Sequence, residues 1–149
     1  MSVGSISKLD FSSLMLRGES CVNNKNGLAR FLIIFGAGVL FLSATVHTFV
    51  AYPRVAAAVS VSNLSPTLKT ALRTVFILVG WNWFAIGLLA LLTALRAGTR
   101  RKLLALFLGM SILVETGLSL AMMGIFVGNE LLAAAAALLL AGGLLLSEP

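Results

Sequence analysis

Charge is scarce in this sequence: Asp, Glu, Lys and Arg make up 11% of its 149 residues, against about 25% in an average soluble domain. That leaves too little polar surface for an ordinary water-soluble fold. The single cysteine, Cys21, excludes an intrachain disulfide framework, a CxxC redox motif and a multi-cysteine zinc site. The single histidine, His47, excludes a multi-histidine metal centre or a bis-histidine haem within one chain. There is no phosphate-cradling glycine loop, no G-x-S-x-G elbow and no H-E-x-x-H helix. The sequence therefore carries no enzymatic signature, names no catalytic residue and calls for no metal or cofactor.

Apolar residues fill the chain instead, 59% of it, with a mean hydropathy of +1.04. Disordered chains are poor in such residues, so disorder is excluded. A hydrocarbon core about 30 Å thick needs about 20 apolar residues of helix. Charge-free windows of that kind run over 31–52, 74–95 and 131–147, and a further one from Leu103 is broken only by Glu115. The expectation is an all-α integral membrane protein, an antiparallel four-helix bundle with spans at 31–52, 74–95, 103–127 and 131–147. Residues 1–30 are read as a polar N-terminal tail ahead of a transmembrane domain over 31–149.

Local signals agree with that division. Tyr52-Pro53 is expected to close the first span, since proline disfavours helix in the residue before it. Ser65-Pro66 has the pattern of an N-cap followed by proline at the first helical position, which starts the second helix near Pro66. The connections after 95 and 127 are short, so spans two, three and four are expected to pack as consecutive neighbours. The tail is serine-rich with spaced basic residues, as in some organellar targeting peptides, but Asp10 and Glu19 count against that. A loose tail with one interfacial turn around Ile6 to Leu16 is the plainer reading.

Orientation follows the basic residues. The tail and the second connection together hold eight: Lys8, Arg17, Lys25, Arg30, Arg96, Arg100, Arg101 and Lys102. The first connection holds three, Arg54, Lys69 and Arg73, and the third none. Both termini are therefore expected in the cytoplasm, with the excess positive charge lying against anionic lipid rather than nucleic acid. The bacterial inner membrane is the expected location, with an organellar membrane as the alternative.

Polar groups inside the spans are the candidate functional residues. Glu115 sits near mid-bilayer, where an ionisable side chain costs roughly 2.5–3.5 kcal/mol to insert. Counted along antiparallel helices, His47 and Asn82 reach similar depths, with Ser43 and Ser119 as satellites. Such a group could hold a proton or the polar head of a lipophilic or cationic ligand, and it could equally be interhelical polar glue. Trp81 and Trp83 read as core filler or lipid contacts, and Met122 and Met123 as flexible packing. Gly117, Ala121, Gly124 and Gly128 form a small-residue ridge opposite Glu115, expected to pack a neighbouring helix.

Two resemblances follow from these residues. Four spans with one intramembrane glutamate is similar to the small multidrug resistance transporters. Their glutamate lies in the first span, whereas Glu115 lies in the third, so no role is carried over. His47, Leu64-Ser65-Pro66-Thr67-Leu68, Ala71-Leu72-Arg73 and Trp81 resemble a loose group of small bacterial four-span proteins, over about a third of the chain. That likeness implies a four-span membrane fold and no chemistry. Two roles are consistent with the sequence. One is a structural or assembly component that pairs with itself or another membrane protein; the other is proton-coupled transport or binding at Glu115, His47 and Asn82.

Overall fold

The computed structural model describes residues 11–96, 98, 100–125 and 127–147, with side chains from residue 24 onward except Met123. It is all-helical: α1 (Phe11–Val46), a π-helical turn (His47–Ala51), α2 (Tyr52–Val61), α3 (Pro66–Leu95), α4 (Arg101–Met123) and α5 (Val127–Leu145). Four helical stretches are long and apolar enough to cross a membrane: Asn24–Val61, Pro66–Leu95, Arg101–Met122 and Val127–Leu145. Readings that rest on residues 1–10, including Lys8, Asp10 and the start of an interfacial turn, lie outside the described residues.

The helices overrun the charge-free windows. The first begins at Phe11, well inside the segment read as a tail. Backbone hydrogen bonding inside a helix tolerates polar side chains that point to water, so the charge-free window underestimates helix length. Tyr52-Pro53 does not end the first helix either. Proline's ring clashes with the carbonyl four residues back and offers no N–H. The chain meets this by widening one turn: the Tyr52 backbone N–H bonds His47 O, five residues earlier, and Pro53 falls in the first turn of α2. The helix thus continues to Val61.

At the second connection, Ser65 accepts a 3.4 Å hydrogen bond from the Leu68 backbone N–H, and Pro66 opens α3. Two cations then tie α3 to α2. Lys69 Nζ donates to Ser60 O at 2.8 Å and Arg73 Nη2 to Ala56 O at 3.1 Å. Ser60 lies in the last turn of α2, where carbonyls lack helical partners and cations are favoured.

Glycine decides which helices approach. A methyl group on Gly142 of α5 would lie 2.6 Å from Ile33 Cγ1 and 3.0 Å from Ala29 O of α1. One on Gly109 of α4 would lie 2.8 Å from Leu140 Cγ of α5, and one on Gly87 of α3 would lie 3.3 Å from Ala37 O of α1. Small residues let backbones close in this way. The close pairs are α1 with α5, α4 with α5, and α1 with α3; α3 and α4 touch far less. Spans two, three and four are thus consecutive neighbours as expected, but the contact between α3 and α4 is the loosest, and no glycine of either helix is pressed against the other. Along each pair the order of contacts reverses: ascending α1 from Ala29 to Gly36, the partners on α5 descend from Gly142 to Leu138.

The core is small-residue rich, with Ala29, Ile33, Ala37 and Leu40 of α1 packed among Leu132, Ala135, Ala136 and Leu139 of α5. Ser147, just past α5, is fastened at the same level as the start of this packing. Asn26 Oδ1 accepts from the Ser147 backbone N–H at 3.1 Å and from Ser147 Oγ at 2.8 Å.

Candidate functional site: an intramembrane polar cluster between α3 and α4

Where α3 and α4 do meet, the contact is polar. Trp83 Nε1 donates to Glu115 Oε1 at 2.7 Å, and Asn82 Nδ2 donates to Glu115 Oε2 at 3.3 Å. Both carboxyl oxygens therefore have a neutral donor. Adjacent positions on α3 achieve this because residues 100° apart straddle the helix edge facing α4. Trp83 points inward and is only 7% exposed, while Asn82 is exposed and Glu115 half-buried.

Helical rise sets the depth. Glu115 lies 14 residues past the start of α4 and 8 before its end, or about 21 Å and 12 Å. Asn82 lies 13 residues before the end of α3, about 20 Å from the same side. Both fall within a hydrocarbon layer about 30 Å thick.

His47 also meets Trp83, through its ring. Its ring stacks on Phe76 at a centroid distance of 3.8 Å and meets Trp83 edge-on at 4.7 Å. His47 Nε2 lies 2.8 Å from Phe76 O. A carbonyl oxygen only accepts, so Nε2 carries the proton and a neutral ring keeps Nδ1 as an acceptor. Gly80 makes room for this: a methyl there would lie 2.7 Å from Thr48 Oγ1 and 3.3 Å from His47 Cδ2. His47 also opens the π-helical turn, a feature that is frequent at functional sites.

Of the residues singled out in the sequence, Glu115 and Asn82 are hydrogen-bonded and His47 reaches them only through the Trp83 ring. An indole N–H donates and does not accept, so Trp83 makes no hydrogen-bonded proton wire between His47 and Glu115. Ser43 is buried but bonds back to Val39 O at 2.9 Å. Ser119 Oγ donates to Asn129 Oδ1 at 2.7 Å, and Asn129 Nδ2 donates to Gly124 O at 2.7 Å. These two serines belong to helix-local and loop-closing bonds, not to the cluster. Among the described residues no group of three or more His, Cys, Asp and Glu side chains gathers as a metal site would require.

The small-residue ridge is also arranged differently. α4 ends at Met123, and Gly124 follows with φ +74°, a backbone form that favours glycine. Gly128 then lies in α5, so Gly124 and Gly128 share no helix. Gly117 has nothing within 4 Å of where a Cβ would stand, and Ala121 is exposed. The intrachain seams use Gly36, Gly87, Gly109, Gly142 and Gly143 instead.

Asn129 is the residue that sequence reasoning missed, and Trp83 the one it read only as core filler or a lipid contact. Trp83 gave a usable signal: a buried indole N–H needs an acceptor, and the one carboxylate in any charge-free window was Glu115. Compared with protein-family models, curated proteins and solved structures, the chain matches no family model, no curated protein and no solved structure.

Proposed function

We propose that this chain is a small multi-pass protein of the bacterial inner membrane, a non-enzymatic subunit or assembly partner in a membrane complex. In this reading it is an antiparallel four-helix bundle with both termini in the cytoplasm, and the face formed by α3 and α4 receives the partner. The observation that carries it is the polar pair on that face: Asn82 is exposed and Glu115 only half-buried, at mid-bilayer depth. Lipid tails offer neither group a hydrogen bond, and polar side chains in spans usually face protein or water. A partner helix laid on the face supplies what lipid lacks. Eight basic residues against three support the orientation, and the likeness to small bacterial four-span proteins supports the host membrane. The test is gentle extraction followed by native mass measurement. A complex heavier than one chain is expected, and it should dissociate with Asn82→Leu. A lone chain with no co-extracted protein overturns the reading.

A second reading rests on Glu115 having two neutral donors and no cationic side chain among its hydrogen-bond partners. A lipophilic cation entering between α3 and α4 would supply the missing charge, with Trp83 beside it. Tetraphenylphosphonium binding to vesicles containing the protein, lost with Glu115→Gln, is the expected sign. Equal binding by both proteins counts against it.

A further inference from the structure

An exposed asparagine amide in the middle of a membrane span has a self-complementary partner: another copy of the same amide. Asn82 has two N–H donors and an acceptor oxygen with two lone pairs. One donor goes to Glu115, at 3.3 Å. Among the described residues no hydrogen bond involves its Oδ1. The strip around it is apolar, uncharged and open, with Val75, Leu78, Ala85 and Leu89 all exposed on α3. Ala85, three residues on, keeps the strip low beside the amide and lets a second helix come close.

We propose that this face is a two-fold interface between two copies of the chain, closed at its centre by Asn82 of each copy hydrogen-bonded to Asn82 of the other. The proposal rests on the assembly reading above and names its partner. Symmetry supplies the argument for self-pairing. Copies inserted with one topology are related by an axis along the membrane normal, so every residue meets its counterpart at equal depth. A different protein needs a donor and acceptor at that same depth by coincidence; a second copy has them by construction of the symmetry. Two-fold contacts are the commonest closed interfaces, using one patch on both subunits. The strip carries no Asp, Glu, Lys or Arg between Thr74 and Leu95, so no charged α3 side chain lies between the two copies. A single buried asparagine is a known means of fixing register and copy number between helices.

The test uses full-length protein in native membranes, with Cys21→Ser to remove the one natural thiol. Leu78→Cys and Ala85→Cys, four residues before and three after Asn82, are introduced separately and oxidised with copper phenanthroline. Phe35→Cys, exposed on α1, is the control. Self-pairing predicts a product of twice the chain mass at both α3 positions and not at residue 35. Adding Asn82→Leu to the Ala85→Cys protein should lower the crosslinked fraction about threefold to eighteenfold, the range of one interhelical hydrogen bond in a membrane. A crosslink of any other mass overturns self-pairing but leaves the assembly reading standing. No crosslink at either α3 position, with a native mass of one chain, overturns both. The two positions are read with Asn82 intact, so the outcome does not depend on how well the leucine variant folds.

Discussion

Trp83 and Glu115 join α3 to α4 through a 2.7 Å hydrogen bond from the indole N–H to Oε1. These two helices have no glycine seam, so this bond and its Asn82 neighbour are the polar link across their interface. Trp83→Phe keeps most of the ring and removes the donor; Glu115→Leu removes both acceptors. A double-mutant cycle on unfolding free energy should give a coupling of about 0.6–1.7 kcal/mol, the range for interhelical hydrogen bonds in membranes. Additive single effects would mean that the bond adds nothing to stability.

The glycines divide into two classes with opposite expectations. Alanine at Gly142 or Gly109 pushes a methyl against another helix: the nearest atoms lie at 2.6 Å and 2.8 Å, with backbone atoms at 3.0 Å in both cases. Backbone cannot rotate away as a side-chain end can, so each change should cost about 1–3 kcal/mol. Gly117→Ala meets open space and should leave stability unchanged or raise it by up to about 1 kcal/mol. Denaturation midpoints of the three variants, measured in one detergent, check the ordering.

Asn129 is 4% exposed and uses both ends of its amide, accepting from Ser119 and donating to Gly124 O. It holds the turn between α4 and α5 from inside. Asn129→Leu removes the partner of the exposed Gly124 carbonyl and the half-buried Ser119 hydroxyl, and hydrogen bonds of this kind contribute about 0.5–1.5 kcal/mol each. The variant should be cleaved in the 124–126 connection by proteases that spare the parent. Equal resistance would show that the helices, not this amide, fix the turn.

The four spans were legible because lipid imposes a crude rule, a run of apolar residues long enough to cross. Ends and neighbours were less legible, for separate reasons. Charge-free windows mark where lipid begins, whereas α1 and α3 extend past it on ordinary backbone hydrogen bonds. Short connections implied that α3 and α4 are neighbours, but not that their contact is the loosest: Gly87 draws α3 to α1, Gly109 draws α4 to α5, and Gly36 and Gly142 draw α1 to α5. Periodicity alone could not rank one glycine above another. For the candidate site, depth counting put Asn82 and Glu115 at one level. It could not show that the indole of Trp83 lies between Glu115 and His47, because that depends on which way α3 is turned.

The π-helical turn gives the last prediction, since it converts a proline into a change of register. Pro53 lacks the N–H that would continue the α pattern, and the widened turn at His47–Ala51 absorbs the mismatch. An extra residue in one turn rotates everything after it by about 100°. That rotation leaves Val55, Ala56 and Val59 half-buried, with Arg54, Ala57 and Ala58 exposed. It also brings Ala56 O within reach of Arg73. With Pro53→Ala the missing donor returns and the tighter α turn becomes available. Single cysteines along 54–61 in a Cys21→Ser background report the result through their labelling by a water-soluble maleimide. In the parent, residues 54, 57, 58, 60 and 61 should label faster than 55, 56 and 59. In the alanine variant each residue should take the place of its successor, so 56 and 59 become fast and 54, 58 and 61 slow, and an unchanged pattern would mean that Lys69 and Arg73, not Pro53, hold the turn open.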